Sequence, residues 1–188
     1  MQIFQSFTPE VIELLKSGAV GVIPTDTIYG VAARLSNQAA IERIYTIKNR
    51  DLNKRIGTTL ISDPNQIEQY VSAHDLLAAQ VYWPGPVSVE FKVGPVLAYA
   101  HRGFYTLAFR LPDSKLLQNV IQQTGPLATT SANFAGELPA VTMQDALGTF
   151  RENVDFYVDG GDLSGRKPST IIRFNEQGEV ETVRGDSK

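Results

Sequence analysis

Residues 19–27 read AVGVIPTDT, a short apolar run followed by a polar loop. The run, residues 19–23, has the length and composition of a buried β-strand, and Pro24 with its polar neighbours ends it. Upstream, Thr8-Pro9-Glu10, an amphipathic apolar spacing and Gly18 predict a short helix with an N-cap and a glycine stop. A helix followed by a buried strand favours an α/β fold, and the loop after the strand is where chemistry tends to occur.

The same alternation continues along the whole chain. Helices are predicted from Ser36 to Lys48 and at 64–71, 75–82, 114–122 and 142–150, and strands at 57–61, 87–93, 104–111, 127–130, 154–158, 169–174 and 180–184. Some strands follow one another with no room for a crossover helix. The pattern predicts a layered α/β fold with a mixed sheet flanked by helices.

Length and composition indicate one domain, residues 1–188. The 188 residues are 43% hydrophobic and 20% charged, which are ordinary values for a globular protein. Cysteine is absent, which excludes disulfides, thiolate metal sites and a cysteine nucleophile. With His74 and His101 as the two histidines, a histidine-built metal site is not expected.

The net charge of −3 argues against a surface that attracts nucleic acid as a whole. Any phosphate-binding site must therefore be local. The start of the chain lacks the basic and apolar regions of a leader, and no apolar run reaches the length of a membrane span. A soluble cytoplasmic protein without membrane partners is expected.

A local concentration of cations interrupts this acidic chain at residues 42–55, where five basic residues face two acidic ones. Within it, Lys48 and Arg50 follow a predicted helix as Lys-x-Arg, which can offer a point charge and a planar fork to a phosphate chain. Cations at a helix C-terminus also complement the helix dipole, and the spacing alone favours that simpler interpretation.

A second polar segment, Ser131-Ala132-Asn133, follows the predicted strand at 127–130. Its hydroxyl and amide could donate to an anion, although taken alone such a segment is more often a side-chain-stabilised turn. No phosphate-loop pattern and no nucleophile-elbow pattern occur in the chain. The residues by themselves indicate an anion-binding α/β enzyme of the phosphoryl or nucleotidyl transfer type.

Seven motifs, taken in order, resemble those of the YrdC family of threonylcarbamoyl-AMP synthases. The resemblance spans residues 8–186, is specific in its order and spacing, and is to the short bacterial form without an appended C-terminal domain. The motifs are Pro24-Thr25-Asp26-Thr27-Ile28-Tyr29-Gly30, Lys48-Asn49-Arg50, Trp83-Pro84-Gly85-Pro86, Arg110-Leu111-Pro112, Thr130-Ser131-Ala132-Asn133, Pro168-Ser169-Thr170 and Arg184-Gly185.

The resemblance implies a twisted α/β fold, with a mixed sheet flanked by helices and a concave, positively charged cavity. It also implies that the protein is an L-threonylcarbamoyladenylate synthase. Its substrates would be L-threonine, bicarbonate and ATP, and its products threonylcarbamoyl-AMP and pyrophosphate. ATP would enter as a substrate with Mg²⁺ bridging its oxygens, and no metal would be held by the protein alone. A partner threonylcarbamoyl transferase would then modify an adenosine of tRNA.

The resemblance also implies a role for each matching residue. The catalytic pair would be Lys48 and Arg50, which stabilise the charge that grows as pyrophosphate leaves. The implied ATP-binding residues are Lys48, Arg50, Ser131, Asn133 and Arg184. The implied threonine-binding residues are Thr27, Arg110, Thr129 and Ser169, with Arg110 as a fork for the amino-acid carboxylate.

The chain departs from the family pattern after Arg50, where the family usually has prolines and this sequence has Asp51 and Arg55. Asp51 could pair with Arg50 or Lys54 and weaken phosphate binding, or Arg55 could add a phosphate contact. A second departure, Ala135 in place of a common serine, is minor.

Two alternatives stay open. One is a non-catalytic RNA-binding module on the same fold, with tRNA or another RNA contacting cations between Arg43 and Arg55. The net charge and the lack of clustered aromatic motifs disfavour it. The other is a carbamoyl-transferring relative with a different acceptor, which the retained threonine-type residues disfavour.

Overall fold

Ten β-strands form one mixed sheet in the computed structural model, which describes residues 1–185. The order across the sheet is β1-β8-β2-β3-β7-β4-β6-β5-β9-β10. The strands are β1 Gln2–Phe4, β2 Gly21–Ile23, β3 Gly30–Arg34, β4 Thr58–Leu60, β5 Val87–Lys92, β6 Thr106–Arg110, β7 Leu127–Ser131, β8 Phe156–Val158, β9 Thr170–Phe174 and β10 Val180–Arg184. The predicted mixed α/β sheet is thereby confirmed; the predicted domain, 1–188, includes residues 186–188, which lie outside the described residues.

Helices connect many of these strands and cover both faces of the sheet. Their ends show the expected capping: the Thr8 hydroxyl accepts a hydrogen bond from the Val11 N–H at 3.4 Å, and Gly18 ends the first helix with φ 96°. The α-helices of the described residues are α1 Pro9–Ser17, α2 Gln38–Ile47, α3 Ala73–Ala79, α4 Ala98–His101, α5 Lys115–Thr124 and α6 Met143–Phe150.

Alternate residues along the central strands belong to two different cores. On β2, Val22 packs into the larger core and Ile23 into the smaller one, which contains residues of α1 and α5. On β7, Leu127 belongs to the smaller core and Ala128 to the larger. Since successive side chains of a strand point to opposite faces, the two cores lie on opposite sides of the sheet.

The structure corrects several element predictions. Residues 64–71, predicted as a helix, contain only a 3₁₀ helix, Pro64–Ile67, which the Asp63 side chain caps by accepting from the Asn65 N–H and which ends where the Glu68 N–H binds the Asn65 carbonyl. The predicted helix 75–82 begins earlier, as α3, and ends in a 3₁₀ turn, Gln80–Tyr82. Strands β1 and β3 and helix α4 were not predicted at all.

No helix within residues 1–185 combines the length and the hydropathy needed to cross a bilayer.

Candidate active site

A cavity of about 200 Å³ opens on the sheet face that carries the smaller core. Thr129 lies two residues from Leu127 on β7, and Thr58 lies two residues from Leu60 on β4, so all four side chains share this face. The cavity is lined by Thr25, Thr27, Ile28, Tyr29, Gly30, Arg50, Gly57, Thr58, Arg110, Thr129, Thr130, Ser131, Pro139, Pro168, Ser169 and Arg184. It therefore brings together every predicted site residue except Lys48 and Asn133.

Strand register explains why distant segments meet at this cavity. Ser131 at the end of β7 pairs with Gly30 at the start of β3, and Thr129 pairs with Thr58. A Cβ added at Gly57 would lie 2.5 Å from the Thr129 carbonyl oxygen, so only glycine allows this close approach of the two backbones.

Three guanidinium groups, those of Arg50, Arg110 and Arg184, line the cavity. The pKa of Arg184 is lowered by burial and then by the positive charges of Arg50 and Arg110. Like charges held together in a buried place repel one another, and a bound anion relieves that repulsion. The cavity is therefore suited to anions, while the predicted concave, basic shape stays a prediction.

Arg110 is held by an acidic partner that the sequence analysis did not single out. Its Nη1 lies 2.5 Å from Asp26 Oδ1, and the two side chains are 3% and 9% exposed. Its Nη2 donates to Thr27 Oγ1 at 3.4 Å, and its buried Nε has no hydrogen-bond partner within residues 1–185. Asp26 also accepts from the Asp113 N–H at 3.1 Å. The ion pair fixes the guanidinium of Arg110, which is one of the residues that line the cavity.

The end of α2 places Arg50 against β7. Asn49 takes a left-handed conformation, φ 45°, which turns the chain after the last helical residues. The guanidinium of Arg50 then donates to Thr130 Oγ1 at 3.3 Å and to the Arg55 carbonyl at 2.9 Å. Its Nε is buried and has no partner in the described part of the chain. Arg50 is thus held at the cavity wall by two hydrogen bonds.

Lys48 lies behind this wall and is 5% exposed. Its Nζ donates to the Ser131 carbonyl, and Ser131 itself lines the cavity. Burial, and after it the charge of Arg50, lowers the pKa of Lys48 to about 7. A lysine that complements the helix dipole places its charge near the last carbonyls of its own helix, whereas Lys48 donates to a carbonyl of β7. The position of Lys48 therefore differs from that simpler interpretation, and its assignment to ATP stays a prediction.

Asn133 is outside the cavity lining and closes a turn. Its Nδ2 donates to the Glu137 carbonyl at 2.7 Å, and the Glu137 carboxylate accepts from the Phe134 N–H at 3.3 Å. Its Oδ1 is buried with no partner within residues 1–185. The structure thus gives Asn133 a turn-closing role beside Ser131, and its predicted contact with ATP stays a prediction.

The altered loop after Arg50 is organised without the expected prolines. Arg55 forms an ion pair with Glu90 and donates to Thr106 Oγ1 at 2.9 Å, so its guanidinium is committed to the protein. The Asp51 carboxylate accepts from the Asn53 N–H at 2.9 Å, and no ion pair joins it to Arg50 or Lys54 among the described residues. The sequence suggested that Asp51 could pair with Arg50 or that Arg55 could bind phosphate. In the structure Asp51 binds the Asn53 N–H, and the Arg55 guanidinium binds Glu90 and Thr106.

Hydroxyl groups form the remaining polar surface of the cavity. Thr129 Oγ1 donates to the Thr58 carbonyl at 2.7 Å, and Thr58 Oγ1 lies 3.0 Å from Ser88 Oγ. Ser88 Oγ lies 2.9 Å from Ser169 Oγ. Sequence reasoning missed Thr58 and Ser88. Ser88 lies between two valines on a strand, and this pattern indicates that its side chain takes the opposite face of the sheet, but not which residue it contacts.

No group of three or more histidine or acidic side chains able to hold a metal occurs within residues 1–185. The cavity lining offers hydroxyls and guanidinium groups and includes no acidic residue from the part of the chain that the structure describes, and the carboxylate of Asp26, between the lining residues Thr25 and Thr27, is bound to Arg110. This donor set does not fit a Mg²⁺ ion held by the protein, because Mg²⁺ prefers carboxylate oxygens.

The fold and the cavity define a single-sheet α/β protein with an arginine-lined cavity. Residues 13–185 match the model of the Sua5/YciO/YrdC family, described as "Telomere recombination". The chain belongs to this family.

Individual relatives agree with the family match. The chain is 31% identical over 173 residues to a Methanocaldococcus jannaschii protein named "Putative threonylcarbamoyl-AMP synthase", covering 89% of this chain and 82% of that protein.

Two solved structures share the fold. Escherichia coli YciO superposes with a TM-score of 0.81 at 22% identity, over 97% of this chain and 93% of that one. Pyrococcus abyssi Sua5 in complex with L-threonine gives a TM-score of 0.82 at 22% identity over 97% of this chain. The chain spans 56% of that Sua5 chain, a little over half its length.

Proposed function

We propose that the protein is an L-threonylcarbamoyladenylate synthase, which makes threonylcarbamoyl-AMP and pyrophosphate from L-threonine, bicarbonate and ATP. The observation that carries the proposal is the convergence of Arg50, Arg110 and Arg184 with a set of hydroxyls in one cavity. Guanidinium groups match carboxylate and phosphate oxygens, and hydroxyls match the polar remainder of an amino acid.

The names of relatives support the same activity. The M. jannaschii relative carries a threonylcarbamoyl-AMP synthase name, and the P. abyssi Sua5 structure contains L-threonine. We transfer the activity to this chain as part of the proposal.

In the proposed reaction, the threonine amine first combines with bicarbonate to give a carbamate and water. A carbamate oxygen then attacks the α-phosphorus of ATP, and the bond to the bridging oxygen breaks as pyrophosphate leaves. Arg50 and Lys48 would stabilise the charge that develops on the leaving group, because both cations lie on the β7 side of the cavity.

At the other side of the cavity, the guanidinium of Arg110, held in place by Asp26, would bind the threonine carboxylate. Thr27, Thr129 and Ser169 would orient the rest of the amino acid, and Arg184 would contact the nucleotide. Mg²⁺ would enter as the counter-ion of ATP and is part of the substrate. The cytoplasmic location and the transferase partner acting on tRNA belong to the same proposal.

The RNA-binding alternative is less well supported. It relies on cations between Arg43 and Arg55, and both of these arginines are engaged in ion pairs, with Asp155 and Glu90. Paired cations have little remaining attraction for a phosphate backbone.

Pyrophosphate release from ATP tests the proposal. Release should require threonine and bicarbonate together, and omission of either should reduce it to background. Arg184→Gln should strongly reduce release. The matched control, Arg173→Gln, removes an exposed arginine that is paired with Glu181 outside the cavity and should leave release unchanged. Equal release without threonine would refute the proposed reaction.

A further inference from the structure

Three hydroxyls form a continuous chain beneath the cavity. Thr58 Oγ1 lies 3.0 Å from Ser88 Oγ, which lies 2.9 Å from Ser169 Oγ. Thr58 and Ser169 line the cavity, whereas Ser88 on β5 is 0% exposed. The hydroxyls of two residues that line the cavity are therefore linked through the hydroxyl of a fully buried residue that is not part of the lining.

The number of hydrogens limits how this chain can be arranged. Each hydroxyl carries one hydrogen and accepts up to two hydrogen bonds. Both end hydroxyls cannot donate to Ser88 without leaving the buried Ser88 hydrogen unpaired, which is costly. The links therefore run in one direction, and the hydrogen that they do not use belongs to one end of the chain, either Thr58 or Ser169.

Arg184 makes the two ends complementary. Its Nη2 donates to Ser169 Oγ at 3.4 Å and to the Ser169 carbonyl at 3.0 Å. When Ser169 donates into the cavity, its oxygen accepts from both Arg184 and Ser88, and Thr58 remains free to accept. When Thr58 donates into the cavity, Ser169 donates to Ser88 and keeps one acceptor position. One end thus donates to the cavity while the other accepts.

We propose that Ser88 is a positioning residue that couples these two ends, so that the cavity favours an amino acid whose side chain both donates and accepts. A side-chain hydroxyl meets that requirement, and a methyl group in the same place does not. This inference rests on the proposed function, in which L-threonine is the ligand.

The experiment measures the affinity of the protein for L-threonine and for L-valine by isothermal titration calorimetry. Valine has a methyl group where threonine has its hydroxyl. The variants are Ser88→Ala and a matched control, Thr59→Val. Thr59 on β4 is 0% exposed, and its hydroxyl has no partner in the described part of the chain, so the control also removes one buried hydroxyl.

In Ser88→Ala, threonine affinity should fall about five- to hundredfold, the range expected when a buried polar group loses its partner. Valine affinity should be unchanged, so the preference for threonine over valine falls. Ser88→Thr, which returns a hydroxyl, should restore the preference, and Thr59→Val should retain it. If Ser88→Ala does not fold, Ser88→Cys makes the same test, because a thiol is a weak donor.

An unchanged preference in Ser88→Ala would overturn the inference while leaving the proposed function intact. An equal loss of affinity for both amino acids would also overturn it, because it would indicate a general structural role. Absence of threonine binding by the unaltered protein would overturn the proposed substrate and this inference together.

Discussion

Binding of ATP should drive a proton onto Lys48. In the free protein, burial and then the charge of Arg50 lower the pKa of this lysine to about 7. The triphosphate of ATP brings negative charge to the arginine-lined cavity beside it, and a nearby opposite charge favours the protonated form. Lys48 should therefore be mostly neutral before ATP binds at pH 8 and charged afterwards.

The size of the effect follows from the pKa. With a pKa of about 7, Lys48 is about one-tenth protonated at pH 8 and about nine-tenths protonated at pH 6. Complete protonation in the complex corresponds to uptake of about 0.9 proton at pH 8 and about 0.1 at pH 6.

Calorimetry in buffers of different ionisation enthalpy measures this uptake directly, since the slope of the binding enthalpy against the buffer enthalpy is the number of protons. At pH 8, Lys48→Met should lack the proton uptake that the unaltered protein shows. Comparing the two proteins also removes any contribution from protons that ATP itself takes up. Lys54→Met removes an exposed lysine of the same loop and should retain it. Equal uptake in the unaltered protein and Lys48→Met would refute the reasoning.

Two further predictions concern buried ion pairs. Asp26→Asn should lower the free energy of unfolding by about 3–5 kcal/mol in urea denaturation, because Arg110 loses its buried counter-charge. The same variant should weaken threonine binding in calorimetry, because the ion pair with Asp26 holds the guanidinium of Arg110 in place; unchanged threonine affinity would contradict this positioning role of Asp26. Arg55→Ala should cost about 2–4 kcal/mol of stability, since Arg55 is 23% exposed and its partner Glu90 is 4% exposed. ATP affinity should stay the same in this variant, and a large loss would show that Arg55 contacts phosphate.

The sequence predicted the ends of an element correctly where residues next to those ends determine them. Helix α1 begins after Thr8 and ends at Gly18, and the strand predicted at 180–184 has those bounds in the structure. Strand β3 escaped prediction because its five residues, GVAAR, include two alanines and no alternation.

The site could be predicted only in part. Sequence motifs pointed to Arg50, Arg110 and Arg184, and the cavity contains all three. The partner of Arg110 and the role of Ser88 depend on which strands become neighbours and on their register. Strand order across the sheet differs from order along the chain, so no local pattern could indicate these contacts.

The most direct test is detection of the product itself. The protein is incubated with ATP, L-threonine and ¹³C-labelled bicarbonate, and the mixture is examined by mass spectrometry. The account predicts a threonylcarbamoyl-adenylate that carries one ¹³C atom, formed by the unaltered protein and strongly reduced in Arg110→Ala. Release of AMP and pyrophosphate with no labelled adduct would contradict it.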